Sequence, residues 1–305
     1  MAKMFSPVVL FVYNRRRHTE QTIRALSMNS EAKESDLIVY SDGFKDASSE
    51  KNVLDVRSYL KTISGFHSVN IVERKQNLGL AQSIISGVTE VVNRYDRVII
   101  LEDDLVTSPS FLRYMNDGLR MFENDDRVIS IHGYSYPAKN LPETFFLKGA
   151  DCWGWATWKS EWNLFEPDGR KLLAELEQKQ LMGRFDFFGA YDYSGMLRDQ
   201  IRGKNQSWAV RWYASALLHD KLTLYPGTTL VQHTGSDGSG THCCDDGGLG
   251  LFDAPVGQRP LSLESLSVEE DTQALRAFSQ FLKQTQLSLV RRLVRKVKNG
   301  LMREY

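Results

Sequence analysis

The sequence predicts an α/β fold with a mixed, mainly parallel β-sheet flanked by helices. Short apolar runs rich in β-branched residues alternate with helical stretches along the first part of the chain. Such alternation is typical of parallel strands joined by right-handed helical crossovers. Polar clusters also follow three of these runs directly. Ligands of open α/β sheets bind beyond the carboxyl ends of the strands, so these clusters are candidate site residues.

Four strands and three helices are predicted in this part of the chain. The first strand is a continuous run of apolar, β-branched and aromatic residues, as expected for a buried parallel strand. The predicted strands are residues 8–13, 36–40, 69–72 and 97–101, and the predicted helices are residues 19–28, 48–63 and 81–95.

The remainder of the chain is organised differently. It is rich in aromatic residues, and Gly and Asp concentrate at residues 235–250, which predicts a long loop. We divide the chain into one half of an α/β domain at residues 1–115, a second half at residues 116–255, and a helical, basic C-terminal tail at residues 256–305.

Composition excludes several classes of function. Lys plus Arg and Asp plus Glu both number 38 in 305 residues, so the formal net charge is zero and no nucleic-acid partner is expected. Three cysteines, Cys152, Cys243 and Cys244, fit neither a disulfide framework nor a structural zinc site. The apolar run at residues 8–13 is too short to span a bilayer. We therefore expect a cytoplasmic protein.

Glu102, Asp103 and Asp104 directly follow the predicted strand at residues 97–101. Adjacent carboxylates repel one another unless a cation lies nearby. Mn²⁺ or Mg²⁺ suits such a site, because these ions take one or two carboxylates together with phosphate oxygens. The triplet therefore favours a divalent-cation site that would stabilise a departing diphosphate. The alternative is a solvated acidic turn.

The triplet resembles the metal motif of the GT-A-fold glycosyltransferases. The similar segment reads Ile-Leu-Glu-Asp-Asp-Leu, followed by Thr-Ser-Pro-Ser-Phe-Leu. Three further segments occur in the same order as in that family: Val-Leu-Phe-Val-Tyr-Asn-Arg at residues 9–15, Ser-Asp-Gly at 41–43 and Gln-Asn-Leu-Gly-Leu-Ala at 76–81. The chain resembles in particular the Golgi alpha-mannoside beta-1,2-N-acetylglucosaminyltransferase and bacterial family-2-like sugar transferases.

The resemblance implies roles for the triplet and the first strand end. Asp104 would contact the metal directly, Asp103 the ribose or a metal-bound water, and Glu102 the sugar or nucleoside. Asn14 and Arg15 would lie under the nucleotide. A strand-end turn and a solvated helix start are the alternatives for these last two residues.

The resemblance also implies roles for two loops. Asp42 would contact uracil, with an ordinary Asp-Gly turn as the alternative. Asn77 and Gly79 would lie near the nucleoside and diphosphate. Residues 1–115 would thus bind the nucleotide sugar and residues 116–255 the acceptor.

An inverting transfer needs a base that takes the proton of the acceptor hydroxyl. Asp151, Asp186, Asp192 and Asp199 follow the triplet as candidates. The resemblance favours Asp192, with Asp186 second. A carboxylate on a surface helix is the alternative.

Aromatic residues and histidines of the second half complete the predicted site. Trp153, Gly154 and Trp155 resemble the segment that borders the donor sugar, since flat rings suit sugar C–H surfaces. Members of the GT-A group carry a late histidine on a loop as a metal or diphosphate ligand, and His233 or His242 would serve here. A structural histidine is the alternative.

The C-terminal tail combines apolar and basic residues at helical spacing from residue 287 onward. Such a helix suits peripheral contact with an anionic membrane surface. A solvated terminal helix and an oligomer contact are the alternatives.

Together these patterns predict a metal-dependent, inverting glycosyltransferase. Its donor would be a nucleotide sugar, most simply UDP-linked, and its acceptor a glycan or lipid-linked glycan of a bacterial surface. GDP and dTDP sugars remain open as donors. Two other functions also remain open: a nucleotidyltransferase that makes nucleotide sugars, and a non-catalytic carbohydrate-binding protein.

Overall fold

An eight-stranded sheet forms the centre of the molecule. The computed structural model describes residues 5–235, 250–263 and 266–301, without the side chains of residues 287–301. The strands of this part of the chain are β1 Val8–Val12, β2 Asp36–Ser41, β3 Ser68–Glu73, β4 Arg97–Glu102, β5 Leu105–Thr107, β6 Val128–His132, β7 Thr144–Lys148, β8 Trp155–Trp158, β9 Leu222–Pro226 and β10 Val231–His233.

The helices lie between these strands and at the C-terminal end. They are α1 Arg16–Ser27, α2 Ala47–Leu60, α3 Leu80–Tyr95, α4 Phe111–Met121, α5 Lys159–Trp162, α6 Gly169–Gln178, α7 Met182–Phe185, α8 Tyr193–Ile201, α9 Ala209–Leu218 and α10 Thr272–Leu301, with a short 3₁₀ helix at Ser30–Glu34.

The central sheet is mixed and mainly parallel, as the sequence predicts. Its strand order is β3-β2-β1-β4-β8-β6-β9-β7. Strands β3, β2, β1 and β4 are mutually parallel, and β6 and β9 run the same way. Strands β8 and β7 run antiparallel to their neighbours. The carboxyl ends of six strands therefore lie along one edge.

Apolar layers cover both faces of the sheet. On one face Val8 and Leu10 of β1 pack with Ile23 and Leu26 of α1. On the other face Phe11 packs with residues of α3, and Gly87 of that helix leaves room for the ring. Every residue of β1 is buried, which explains its continuous apolar sequence.

The four strands and three helices predicted in the first part of the chain are confirmed, with small differences at their ends. Helix α2 begins where Asp46 and Ser49 form a reciprocal capping box. Helix α3 begins after Gly79, whose φ of 75° favours glycine.

Strand β8 lies within the sheet. It is the main feature that the alternation of strands and helices along the sequence does not predict. It pairs with β4 on one side and with β6 on the other. The two proposed halves, residues 1–115 and 116–255, thus contribute strands to one sheet. Among the described residues, no helix has the length and apolarity needed to cross a bilayer.

Candidate functional site

The acidic triplet lies at the carboxyl edge of the sheet, at the end of β4. Register places Glu102 beside Phe11 of β1, and Val12 beside Ser41 of β2. The ends of β2, β1 and β4 therefore adjoin one another. Asp103 and Asp104 are both buried, at 4% and 8% exposure. Two carboxylates at that burial require compensating positive charge.

Arg15 supplies positive charge at the triplet. It follows the end of β1, and its Nη2 forms an ion pair with Asp103 Oδ1 and another with Asp104 Oδ2, the latter at 2.8 Å. The Arg15 side chain is 17% exposed. One guanidinium that follows β1 thus contacts both aspartates that follow β4.

His233 is brought to the triplet by a second, two-stranded sheet. Strand β10 pairs antiparallel with β5, and His233 lies opposite Leu105 in that register. The Thr234 N–H donates to the carbonyl of Asp104 at 2.8 Å. His233 Nε2 is then 3.5 Å from Asp104 Oδ2. The pairing therefore explains how a residue far along the chain reaches the triplet.

The indole ring of Trp153 packs directly against His233. Its ring stacks on the imidazole with centroids 4.6 Å apart and planes 8° apart. Tyr134 and Phe252 pack edge-on against the same indole. The backbone N–H of Trp153 donates to His132 Nε2 at 3.1 Å. Trp153 is thus held beside the predicted metal ligand.

The three adjacent carboxyls have different acidities. Burial raises the pKa of Glu102 to about 8, with further increases from the charges of Asp104 and Asp103. Burial also raises the pKa of Asp103, to about 6, against the opposing charge of Arg15. Burial would raise the pKa of Asp104 as well, but His233 and Arg15 outweigh it and hold the value at about 2. Of the three carboxyls, Asp104 is thus the most readily ionised and Glu102 the least.

Asp42 anchors the neighbouring loop. Its carboxylate accepts hydrogen bonds from the backbone N–H groups of Gly43, Leu78 and Gly79 at 2.9–3.1 Å. Asn77 Nδ2 donates to the Gly43 carbonyl in the same loop. Because the carboxylate is 7% exposed and already engaged by three donors, it holds the loop in place. Its predicted contact with uracil stays a prediction.

The donor atoms fit a hard divalent cation in part. Asp104 and His233 present a carboxylate oxygen and an imidazole nitrogen 3.5 Å apart. Asp103 Oδ2 is buried and has no hydrogen-bond partner. Among the described residues, no group of three His, Cys, Asp or Glu side chains surrounds a common point. A site that completes its coordination with substrate phosphate oxygens needs only one or two protein ligands.

Trp155 is buried in the core, which contradicts its predicted place at the donor sugar, whereas the role predicted for Gly154 stays a prediction. Trp155 is 1% exposed and packs among Trp162, Trp208 and Trp212 in the core. Gly154 is buried with a φ of 66°, and a side chain there would meet Val231 Cγ1 at 3.0 Å. Alternation along β8 turns Trp155 inward, and the close approach of β10 requires Gly154.

The two predicted bases both serve as helix caps. Asp192 is exposed and accepts from the Gly195 N–H at the start of α8. Asp186 accepts from the backbone N–H and the hydroxyl of Ser194. Within the described residues, no hydrogen bond or ion pair joins either carboxylate to the triplet. The structure thus gives both a capping role, and their choice as the base is not supported by these contacts.

Asp151 is the candidate carboxylate that lies near Trp153. It precedes Trp153 by two residues, and its Oδ1 lies 4.0 Å from His132 Nε2, the acceptor of the Trp153 N–H. Asn14 lies half-buried between β1 and α1. His242 lies outside the described residues, as do Cys243 and Cys244.

Two further residues reach the site: His18, which had no local sequence signal, and Gly235, which begins the predicted loop rich in Gly and Asp. His18 is buried on α1, and its Nε2 lies 3.3 Å from the carbonyl of Thr234. Gly235 follows, and a side chain there would overlap Asp104 Oδ2 and approach His233 Cε1 at 3.1 Å. Both depend on the pairing of β10 with β5, which joins segments far apart in sequence.

Comparisons with known proteins find no matching family model and no matching curated protein. The solved structures that are similar to part of this chain include the following two. The mannosyltransferase PcManGT from Pyrobaculum calidifontis, in complex with GDP-Man and Mn²⁺, is 16% identical with a TM-score of 0.33, over 44% of this chain and 37% of that chain. TarS from S. aureus is 13% identical with a TM-score of 0.32, over 47% of this chain and 24% of that chain. The similarity thus spans well under half of each neighbour, and neither assigns an activity to this chain.

Proposed function

We propose that this chain is a glycosyltransferase of the GT-A type that uses a nucleotide sugar and a divalent cation, Mn²⁺ or Mg²⁺. The observation that carries the proposal is the convergence of Asp103, Asp104 and His233 at the carboxyl edge of the sheet. Beside them, the loop anchored by Asp42 presents Gly79 at the start of α3. Such an edge is where α/β sheets bind nucleotides.

In this proposal Asp104 and His233 hold the cation, and Asp103 contributes its free oxygen directly or through water. The bound cation would neutralise the charge that develops on the departing nucleoside diphosphate. Trp153 offers an aromatic face next to this position, suited to the C–H surface of a sugar. The helix α3 N-terminus adds backbone N–H groups that favour phosphate.

The nucleobase of the donor is left to experiment, because the Asp42 carboxylate already accepts hydrogen bonds within its own loop. We propose Asp151 as the group that takes the proton of the acceptor hydroxyl, since it is the candidate carboxylate two residues from Trp153 and lies 4.0 Å from His132 Nε2, the acceptor of the Trp153 N–H. Direct displacement assisted by such a base inverts the anomeric centre, which NMR of the product would report.

A panel of nucleotide sugars tests the proposal. The purified chain is incubated with UDP, GDP and dTDP sugars and Mn²⁺, and the released products are identified. Free nucleoside diphosphate supports a transferase, pyrophosphate a nucleotidyltransferase, and neither product a carbohydrate-binding protein. Asp104→Asn should lower the rate by roughly 10²-fold or more, as expected for loss of transition-state charge stabilisation. Asp126→Asn, at an exposed position, is the matched control.

A further inference from the structure

Arg15 occupies one carboxylate oxygen of each of the two aspartates that the proposed cation would use. Its Nη2 contacts both Asp103 Oδ1 and Asp104 Oδ2. The same oxygen of Asp104 lies 3.5 Å from His233 Nε2. Two cations cannot share one carboxylate oxygen at contact distance without strong mutual repulsion. The guanidinium and a metal ion are therefore alternatives at this position.

The ion pairs leave two buried groups without partners. Arg15 Nη1 has no hydrogen-bond acceptor, and Asp103 Oδ2 has no donor. A guanidinium presents its donors as a rigid fork that suits carboxylates and phosphates alike. The triplet thus accepts hydrogen bonds from only part of the Arg15 guanidinium, and Nη1 remains available to an anion.

Burial explains why a resident cation is needed. Asp103 and Asp104 are 4% and 8% exposed, and neighbouring ionised carboxylates at that burial repel each other. Arg15 and His233 are the basic groups that face Asp104, and Arg15 and His18 those that face Asp103. Of these, Arg15 alone always carries a full positive charge.

We propose that Arg15 is a resident counter-cation of the acidic triplet. The Arg15 guanidinium competes with the divalent cation for Asp103 and Asp104. It leaves the two aspartates when its N–H groups bind the anionic oxygens of a nucleoside diphosphate. Nucleotide and cation therefore bind with positive coupling, and Arg15 is the residue that couples them. This inference rests on the cation site of the proposed function and deepens it.

Mn²⁺ binding, followed by the loss of the free-ion signal in electron paramagnetic resonance, tests the inference without any sugar transfer. Arg15→Gln should bind Mn²⁺ alone about tenfold or more tightly than the unaltered chain, because a positive charge at contact distance is removed. Addition of UDP should tighten Mn²⁺ binding more in the unaltered chain than in Arg15→Gln. Arg16→Gln is the matched control, since Arg16 pairs with Glu20 and Asp55 on the exposed face of α1.

Arg15→Lys keeps the test decisive if Arg15→Gln does not fold, as judged by thermal melting. A lysine ammonium lacks the fork, so Arg15→Lys should bind Mn²⁺ more tightly than the unaltered chain and less tightly than Arg15→Gln. Equal or weaker Mn²⁺ binding in the folded Arg15 variants would overturn the inference, and so would failure of every variant to bind Mn²⁺. Nucleoside diphosphate release in the panel assay reports separately on the proposed function.

Discussion

Gly235 shows how closely the backbone approaches the candidate metal ligands. A methyl group there would overlap Asp104 Oδ2 and lie 3.1 Å from His233 Cε1. We expect Gly235→Ala to weaken Mn²⁺ binding by roughly 10–100-fold, the usual effect of disturbing groups around a metal site. Isothermal titration with Mn²⁺ measures this. Gly183→Ala is the control, because nothing lies within 4 Å of a side chain at that position. Equal Mn²⁺ affinity in both variants would contradict the placement of the site.

Glu102 gives the triplet a distinct pH signature. Its folded-state pKa of about 8 lies above the ordinary value of 4.5, chiefly because of burial. The protonated form therefore stabilises the fold fully below pH 4.5, and this contribution is lost as the pH rises through 8. Glu102→Gln, which stays neutral, should gain stability relative to the unaltered chain as the pH rises from about 4 to about 9, a range that brackets both values.

Urea unfolding of the two proteins across this pH range checks the Glu102 prediction. Glu34→Gln, at an exposed position, serves as the control. A stability difference between Glu102→Gln and the unaltered chain that stays constant from low to high pH would show that Glu102 is not held protonated by its surroundings.

The choice of base is also decided at single residues. Asp151→Asn should lower the transfer rate by roughly 10²–10⁴-fold, the contribution of a general base. Asp186→Ala and Asp192→Ala remove the acceptors that cap the start of α8 and should lower the melting temperature with a smaller effect on rate. Initial rates and melting curves on the same preparations separate the two effects. A rate collapse confined to Asp192→Ala would restore the sequence-based choice.

At the level of elements, the Asp42 carboxylate ties the end of β2 to the loop before α3. Three backbone N–H groups depend on it. Asp42→Ala leaves them without their acceptor, so we expect a loss of about 2–3 kcal/mol in the free energy of unfolding. Amide exchange should accelerate at Leu78 and Gly79. Asp46→Ala, which removes an exposed cap of α2, is the control and should leave exchange at the loop unchanged.

The elements also show what local sequence can and cannot predict. Strands β1, β2 and β4 were predictable because each is an apolar run buried within the sheet, and Glu102 to Asp104 because they follow such a run. The prediction that Trp155 borders the donor sugar was wrong, because aromatic residues suit a hydrophobic core as well as a sugar-binding surface. Burial decides between these two roles, and it depends on the long-range pairing of β8 with β4 and β6.

His233 and Arg15 illustrate the same limit at the site. The sequence indicates that a late histidine and a strand-end arginine are chemically suitable. Their contacts with Asp104 depend on β10 pairing with β5 and on β1 adjoining β4. Only the folded chain shows that one guanidinium joins both aspartates.

For the whole molecule, helix α10 connects the core to the basic tail. Ala274, Phe278 and Leu282 are buried against the domain, whereas the side chains beyond residue 286 lie outside the described part. We expect deletion of residues 287–305 to leave the melting temperature nearly unchanged. Binding to anionic vesicles should fall, since each tail cation near such a surface contributes about 1 kcal/mol. Vesicle sedimentation measures this, with neutral vesicles as the control, and unchanged binding would remove the membrane role.

The central claim is that a divalent cation and a nucleotide bind together at the end of β4. Anomalous diffraction from crystals grown with UDP and MnCl₂ tests it most directly. We predict a manganese peak within about 2.0–2.6 Å of Asp104, the range of hard cation–ligand distances, with the diphosphate beside it and Arg15 released from Asp104. A bound nucleotide with no manganese at Asp104, or manganese bound elsewhere, would contradict the account.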